Sequence, residues 1–394
     1  MVERLNYLER LKKLQDKHII KVITGVRRCG KSTLLLQFQD YLKKQGVDEE
    51  CITSINFEDL DNEPLLDYKK LHKHIVKNLV KDEKNYVFLD EIQLVPEFQK
   101  AVDSLFLRDN IDLYITGSNA SLLSGELATY LSGRYIEVSI LPLSFKEYYE
   151  MSTLDKRDAW SRYFQYGGFP YAATLDDEEV YRDYLLGIYN TVLLKDIVAR
   201  KNIKDVTLLE SVVRFLFSNV GNIVSSKKIA DTLNSNGRKT TPVTVESYVK
   251  ALEDSFILYK ANRFDVKGKQ HLKTLEKYYL VDLGLRRLLL GDKRTDIGHL
   301  LENIIYLELL RRGYKVKIGK VGSLEVDFIS ERAEETLYIQ VAKSVEDDST
   351  LEREIAPFKE IKDHYPKMLI TLDEYVQDID GIKELNAIDF LLDD

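Results

Sequence analysis

Nine residues, GVRRCGKST from Gly25 to Thr33, constrain this chain more than any other stretch. Gly25, Gly30, Lys31 and Ser32 stand at the spacing of a phosphate-binding loop, after the β-rich run HIIKVIT and before the amphipathic stretch KSTLLLQFQDYLKKQ. Strand, glycine turn and helix in that order gather backbone N–H groups and the positive end of a helix at one point, where a β-phosphate would sit. Val26, Arg27, Arg28, Cys29 and Thr33 complete the cradle. Lys31 would reach the β/γ oxygens, and Ser32 would ligate magnesium.

Such a loop implies a parallel sheet. From Asp16 to about Ser144, short β-rich runs (HIIKVITG, CITSINFE, NYVFLDEI, DLYITGS, YIEVSIL) alternate with helical stretches, the pattern of a doubly wound α/β domain. NYVFLDEIQ ends its apolar run in two carboxylates. Asp90 would hold hydrated magnesium and Glu91 would polarise the attacking water. The bland alternative is an acidic turn at a strand end. ATP with Mg2+ is therefore the expected ligand pair, with ADP as product.

The P-loop, FLDEIQLVPEFQKAVDSL and DLYITGSNASLLSGELATYLSGRYIEVSILPLSFKEYY together resemble the AAA+ ATPases, in particular the archaeal-type group with a long C-terminal extension. The resemblance implies a polar sensor at Ser118, beside Asn119, and an arginine finger at Arg134. A planar, permanently charged guanidinium suits charge spreading over a transferring phosphoryl group. A surface ion pair is the other reading of Arg134. A finger acting in trans would require an oligomer.

Beyond Phe145, strand patterns give way to apolar residues recurring at three and four, so a helical lid is expected over 145–220 after an ATPase domain over 1–144. Its QYGGFPY resembles the Gly-x-Pro segment with which related switch ATPases cover the nucleotide, on Gly168 and Pro170; a plain loop reads equally well. Residues 221–290 give a helix, a polar turn, a second helix opened by Pro242 and a hairpin around DVKGKQ, which resembles a winged helix-turn-helix. DNA or RNA contact through that helix and through Lys267 and Lys269 competes with a pure packing role, because the helix carries Glu246, Glu253 and Asp254.

The last block, 291–394, places Glu302 on a helix ahead of LEVDFIS and TLYIQVAKS. It resembles a restriction-endonuclease-like core, which implies a magnesium site on Glu302 and Asp327. Gln340 and Ala342 stand at the E-x-K positions, with Lys343 one place later, so nuclease chemistry is doubtful.

Charge matters at this point. The whole chain is −8, yet residues 221–280 hold eleven Lys and Arg against six Asp and Glu, whereas 344–394 hold five against fifteen. A polyanion would prefer the middle of the chain. Two cysteines exclude a disulfide framework, and no apolar run reaches membrane-spanning length, so a cytoplasmic protein is expected. The reading is a Mg-dependent ATPase that repositions a winged-helix and nuclease-like module, with a nucleotide-gated signalling or defence switch and an ATP-regulated nuclease as alternatives.

Overall fold

The computed structural model describes residues 2–120, 131, 133–272, 275–291 and 297–393; part of the segment carrying the resemblance, 121–130, lies outside them. The chain divides into two compact units, the first Met1–Pro142 with Asp254–Phe256, the second Leu143–Glu253 with Ile257–Asp394.

In the first unit the order is α1 (Leu5–Leu14), β1 (Ile20–Thr24), α2 (Lys31–Lys44), β2 (Ile52–Asn56), α3 (Tyr68–Lys77), β3 (Asn85–Asp90), α4 (Phe98–Phe106), β4 (Ile111–Gly117) and β5 (Tyr135–Ser139). All five expected strands form. They build one parallel sheet in the order β2-β3-β4-β1-β5. Every residue of β1, β3 and β4 is buried, as strands covered on both faces must be.

Alternation along those strands divides the core. Val22, Val87, Leu89 and Ile115 join Leu71, Ile75 and Val102 from α3 and α4 on one face. On the other, Phe38 of α2 packs against Tyr114, whose ring stacks on Phe88 with centroids 4.8 Å apart. Because all strands run one way, the residues that follow β1, β3 and β4 emerge along a single sheet edge. In open α/β sheets that carboxyl edge is where ligands bind.

The second unit begins with α5 (Phe145–Met151), fixed by a capping box between Ser144 and Glu147. Then come α6 (Lys156–Tyr166), α7 (Glu178–Asn190), α8 (Val206–Ser218), β6 (Ile223–Val224), α9 (Ser226–Ser235), α10 (Pro242–Asp254), β7 (Leu258–Ala261), β8 (Arg263–Asp265), β9 (Gln270–His271), β10 (Glu276–Leu280) and α11 (Leu283–Leu290). The unit closes with α12 (Ile297–Arg311), β11 (Lys315–Val321), β12 (Leu324–Arg332), β13 (Glu335–Val341), α13 (Asp348–Glu360), β14 (Lys367–Thr371), β15 (Asp378–Ile379), β16 (Ile382–Asn386) and α14 (Ala387–Leu392). The strands β6, β10 and β7 make a small antiparallel sheet, and the other eight a mixed sheet ordered β15-β16-β14-β13-β12-β11-β8-β9.

One expectation changes here. The hairpin around Asp265 and Gln270 forms, but it is no free wing: β8 pairs in parallel with β11 and extends the larger sheet. Lys267, expected to face a phosphate backbone, instead bonds Glu360 of α13 at 2.7 Å.

Candidate active site

The loop between β1 and α2 bends through two glycines with positive φ, Gly25 at 149° and Gly30 at 104°. At Gly25 a Cβ would strike the carbonyl oxygen of Ile140 and the Cys29 sulfur, so glycine is required on both steric and conformational grounds. Gly30 is the residue from which α2 springs, and Lys31 and Ser32 occupy the first turn of that helix. Arg4 braces the loop from behind: its guanidinium donates to the carbonyls of Cys29 at 3.1 Å and Leu141 at 2.8 Å. Burial pushes the Cys29 thiol up, which keeps it neutral. Arg27 is held by Glu58.

Lys31 Nζ lies 3.3 Å from Glu91 Oε1 and donates to the carbonyls of Gly25 at 3.2 Å and Val26 at 3.4 Å. Both charged side chains are buried, a setting in which each needs the other. Glu91 follows β3 directly and takes a left-handed backbone, φ 55°. That conformation is costly for a side-chain-bearing residue and is held by a specific bond: its N–H donates to Thr116 Oγ1 at 2.8 Å. The same threonine hydroxyl donates to Asp90 Oδ1. Thr116 thus ties the two carboxylates of NYVFLDEIQ to β4.

Electrostatics separates their roles. Burial works to raise the Glu91 carboxyl, but Lys31 beside it, aided by donors from Gln93 and Ser118, holds it below its usual range. Ser118 Oγ donates to Glu91 Oε2 at 3.1 Å. Asp90 goes the other way, its burial outweighing the Ser32 and Thr116 hydroxyls that favour its anion. The Ser32 hydroxyl stands close enough to favour the Asp90 anion, so a hydroxyl and a carboxylate of the hard-oxygen type that magnesium prefers lie side by side. The donor set therefore fits that ion, with Ser32 and Asp90 as the residues that would hold it.

The predicted residues Lys31, Ser32, Asp90, Glu91 and Ser118 thus assemble at one sheet edge, while Asn119 is buried next to Ser118. Arg134 stands elsewhere. Its carbonyl accepts from Ile20 at 2.8 Å, at the start of β1, whereas the phosphate loop leaves the strand after Thr24. About 13 Å of strand separates the two ends, at about 3.3 Å per residue, farther than the arginine side chain spans. Within its chain Arg134 pairs with Asp103 and lies over the Phe106 ring.

In the second unit, Gly168 has a local reason to exist. Its N–H donates to Asp282 Oδ2 at 2.6 Å, its carbonyl accepts from Leu143 at 2.7 Å, and a Cβ would meet Leu143 O. Pro170 is half-buried two residues on. Burial pushes the Asp282 carboxyl up to about 7 against the backbone N–H donors of Gly168, Gly284, Leu285 and Phe169.

Glu302 of α12 and Asp327 of β12 do converge, in a cleft of about 670 Å³. Gln340 touches the same place through Asp327, whose N–H donates to its Oε1 at 2.7 Å. Lys343 does not belong there. It follows the end of β13, is exposed and lines no part of the cleft, because two residues past a strand end it is carried out to solvent. The cation that reaches these carboxylates is Lys277, from a strand 25 residues before Glu302 and 50 before Asp327, which no motif spacing in the sequence marks. Arg4, Thr116 and Gln93 were missed for the same reason: each contributes a contact set by tertiary geometry.

The AAA domain family matches residues 17–149, and a domain of unknown function (DUF8612) matches residues 157–296. An uncharacterized protein of Haemophilus influenzae is 44% identical over 399 residues, covering 100% of this chain and 99% of its own. An uncharacterized protein of Methanocaldococcus jannaschii is 33% identical over 366 residues, 87% of this chain and 79% of its own. The chain belongs to the same family as these two proteins. Its first unit carries an AAA domain of the P-loop nucleotide-binding class. Among solved structures, a Walker-type ATPase of Pyrococcus abyssi aligns over 73% of this chain and 96% of its own at 16% identity and a TM-score of 0.45. The Aeropyrum pernix Orc1 protein in complex with DNA aligns over 74% and 93% at 13% identity and 0.33. Likenesses that distant carry no functional argument. No helix among the described residues is long and apolar enough to cross a membrane.

Proposed function

We propose that the first unit binds ATP with magnesium and hydrolyses it, and that this cycle repositions the second unit on nucleic acid. The supporting observation is the set Lys31, Asp90, Glu91, Thr116 and Ser118, all buried, with the exposed Ser32 beside them, at the carboxyl edge of a parallel sheet, behind a glycine-bent loop. Glu91, held as a carboxylate, accepts a proton from the attacking water; Ser118 orients it, and Lys31 exchanges its Glu91 contact for phosphate oxygens. Ser32 and Asp90 would hold magnesium, which would supply charge neutralisation for the leaving group.

The second unit is read as a lid followed by winged-helix and restriction-endonuclease-like parts. Support comes from the order α8, β6, α9, α10, β7, β10, which is helix, strand, two helices and two strands, and from Glu302 and Asp327 converging. With Lys267 bonded to Glu360, the exposed Arg238 and Lys239 between α9 and α10 are the better candidates for phosphate contact.

A second reading, a nucleotide-gated switch, is favoured by the placement of Arg134: a single chain brings no finger arginine to its own phosphates from that position, so a monomer would turn over slowly. The test is paired. Lys31→Ala abolishes nucleotide binding, and Glu91→Gln binds ATP normally while turnover falls on the order of a hundredfold. Wild-type turnover in Glu91→Gln refutes the assignment. Acceleration of wild-type turnover by DNA favours the nucleic-acid reading, and slow, DNA-indifferent turnover favours the switch.

A further inference from the structure

The carboxylates of the second unit already hold a cation, and it is part of the chain. Lys277 Nζ lies 2.9 Å from Glu302 Oε1, 2.8 Å from Glu325 Oε1 and 3.5 Å from Asp327 Oδ1. An ammonium has three N–H donors, and here three carboxylates receive them. The side chain is buried, with 4% exposure. Tyr279, on the same face of β10, donates its hydroxyl to the same Glu302 oxygen at 2.6 Å. Asp327 is fixed from its other side, where Oδ2 accepts the Val341 N–H at 3.0 Å.

A restriction-endonuclease-like core implies a divalent metal at this place, and the residues present do not fit one. Distances of 2.8–3.5 Å suit an ammonium, whereas magnesium requires oxygens at about 2.0–2.1 Å. Gln340, where a third acidic ligand would stand, spends both ends of its amide elsewhere: Oε1 accepts from the Asp327 N–H, and Nε2 donates to Glu354 Oε2 at 3.1 Å. Among the described residues no group of three His, Cys, Asp or Glu side chains is arranged to hold a metal ion. Burial works against the Lys277 charge, yet Glu302, Asp327 and Glu325 hold it well above the usual lysine range. A metal would have to displace a fixed positive charge whose chain attachment keeps its local concentration high.

We propose that Lys277 is a tethered cation in the metal position of the second unit, and that this site is consequently closed to divalent ions and to phosphodiester hydrolysis. The loss of nuclease chemistry then follows from an occupied site as well as from the degenerate QVAK segment. The proposal rests on the nuclease-like reading of the second unit and is independent of the ATPase reading of the first.

The test uses the full chain without nucleotide, with Mn2+ as probe and electron paramagnetic resonance to count bound ion. Asp327→Asn is the control in every comparison, since it discriminates this site from Mn2+ bound near Ser32 and Asp90. Wild type is expected to show no Mn2+ sensitive to Asp327→Asn and no magnesium-dependent cleavage of linear DNA. Lys277→Ala, which removes the charge and opens the space, gains one Mn2+ site, roughly tenfold or more tighter than anything wild type shows there, and loses it in Lys277→Ala/Asp327→Asn. ATP turnover stays at the wild-type level, because the change lies in the other unit. An Asp327-dependent Mn2+ site or DNA cleavage in wild type overturns the proposal and makes Lys277 a catalytic lysine working beside a metal. A folded Lys277→Ala without a new site overturns it also. Should that variant fold poorly, a Mn2+-dependent rise in its melting temperature, absent in the double variant, supports the proposal and no such rise counts against it, while the wild-type measurement remains decisive by itself.

Discussion

Replacing Thr116 by valine tests the candidate active site at the residue that joins its parts. The side chain keeps its shape and loses its hydroxyl. In the wild type that hydroxyl donates to Asp90 and accepts the Glu91 N–H at 2.8 Å, and all three residues are buried. A hydrogen bond to a charged group contributes about 1.5–3 kcal/mol, and a buried N–H left unsatisfied costs about 1–3 kcal/mol. The two together predict a loss of about 2.5–6 kcal/mol, or roughly 5–24 °C in melting temperature for a cooperative unit of this size. Turnover should fall further than stability alone explains. Glu91 holds a left-handed backbone against its own preference, and a displacement near 1 Å of a catalytic group costs on the order of a hundredfold. The assay is thermal unfolding and single-turnover ATP hydrolysis on the same preparation, with Thr116→Ser as the conservative variant that restores both hydrogen bonds. If valine and wild type coincide in both measurements, Thr116 does not couple Asp90 to Glu91 and the argument fails.

Two further outcomes are expected. Arg134→Ala mixed with Glu91→Gln should recover turnover that neither protein has alone, since Arg134 lies at the sheet edge away from its own phosphate loop; absence of recovery, together with a monomeric mass, would discard the finger in trans. For Asp282, the folded carboxyl is pushed up to about 7 from an ordinary 3.8, so the native state binds its proton more tightly. The stability it contributes is complete below about pH 4 and is lost as pH rises through about 7, by up to about 4 kcal/mol. Urea unfolding of wild type and Asp282→Asn between pH 5 and 8 should therefore show wild type losing ground to the variant as pH rises, and a pH-independent difference would contradict this.

The five strands of the first unit were legible because each is a short apolar run bounded by turn residues, and the phosphate loop because its glycines answer to local backbone geometry. Asp90, Glu91 and Ser118 were legible as strand-end residues, since a parallel sheet brings such ends to one edge whatever their separation along the chain. Thr116 was hidden by its position inside a buried β run, where a threonine reads as a β-former. The wing was misjudged for a related reason: a β-rich hairpin pattern specifies β8 and β9 but says nothing of β11, which takes β8 as its parallel neighbour. Lys277 shows the limit most directly. A motif search looks for a cation at a fixed offset from Gln340, whereas the carboxylates receive one from β10, whose register is set by β6 and β7.

The two carboxylate sites use the same pair of charges to opposite effect. In the first unit, Lys31 leans on one carboxylate at 3.3 Å and on two carbonyls at 3.2 and 3.4 Å, distances at the loose end of hydrogen bonding, and Ser32 and Asp90 stand beside it as oxygen donors. In the second unit, Lys277 is gripped by Glu302 and Glu325 at 2.9 and 2.8 Å, with Asp327 behind them, and no exchange of equal quality is on offer. Loosely held charge at one site and tightly held charge at the other support the proposed division, with nucleotide chemistry in the first unit and none in the second.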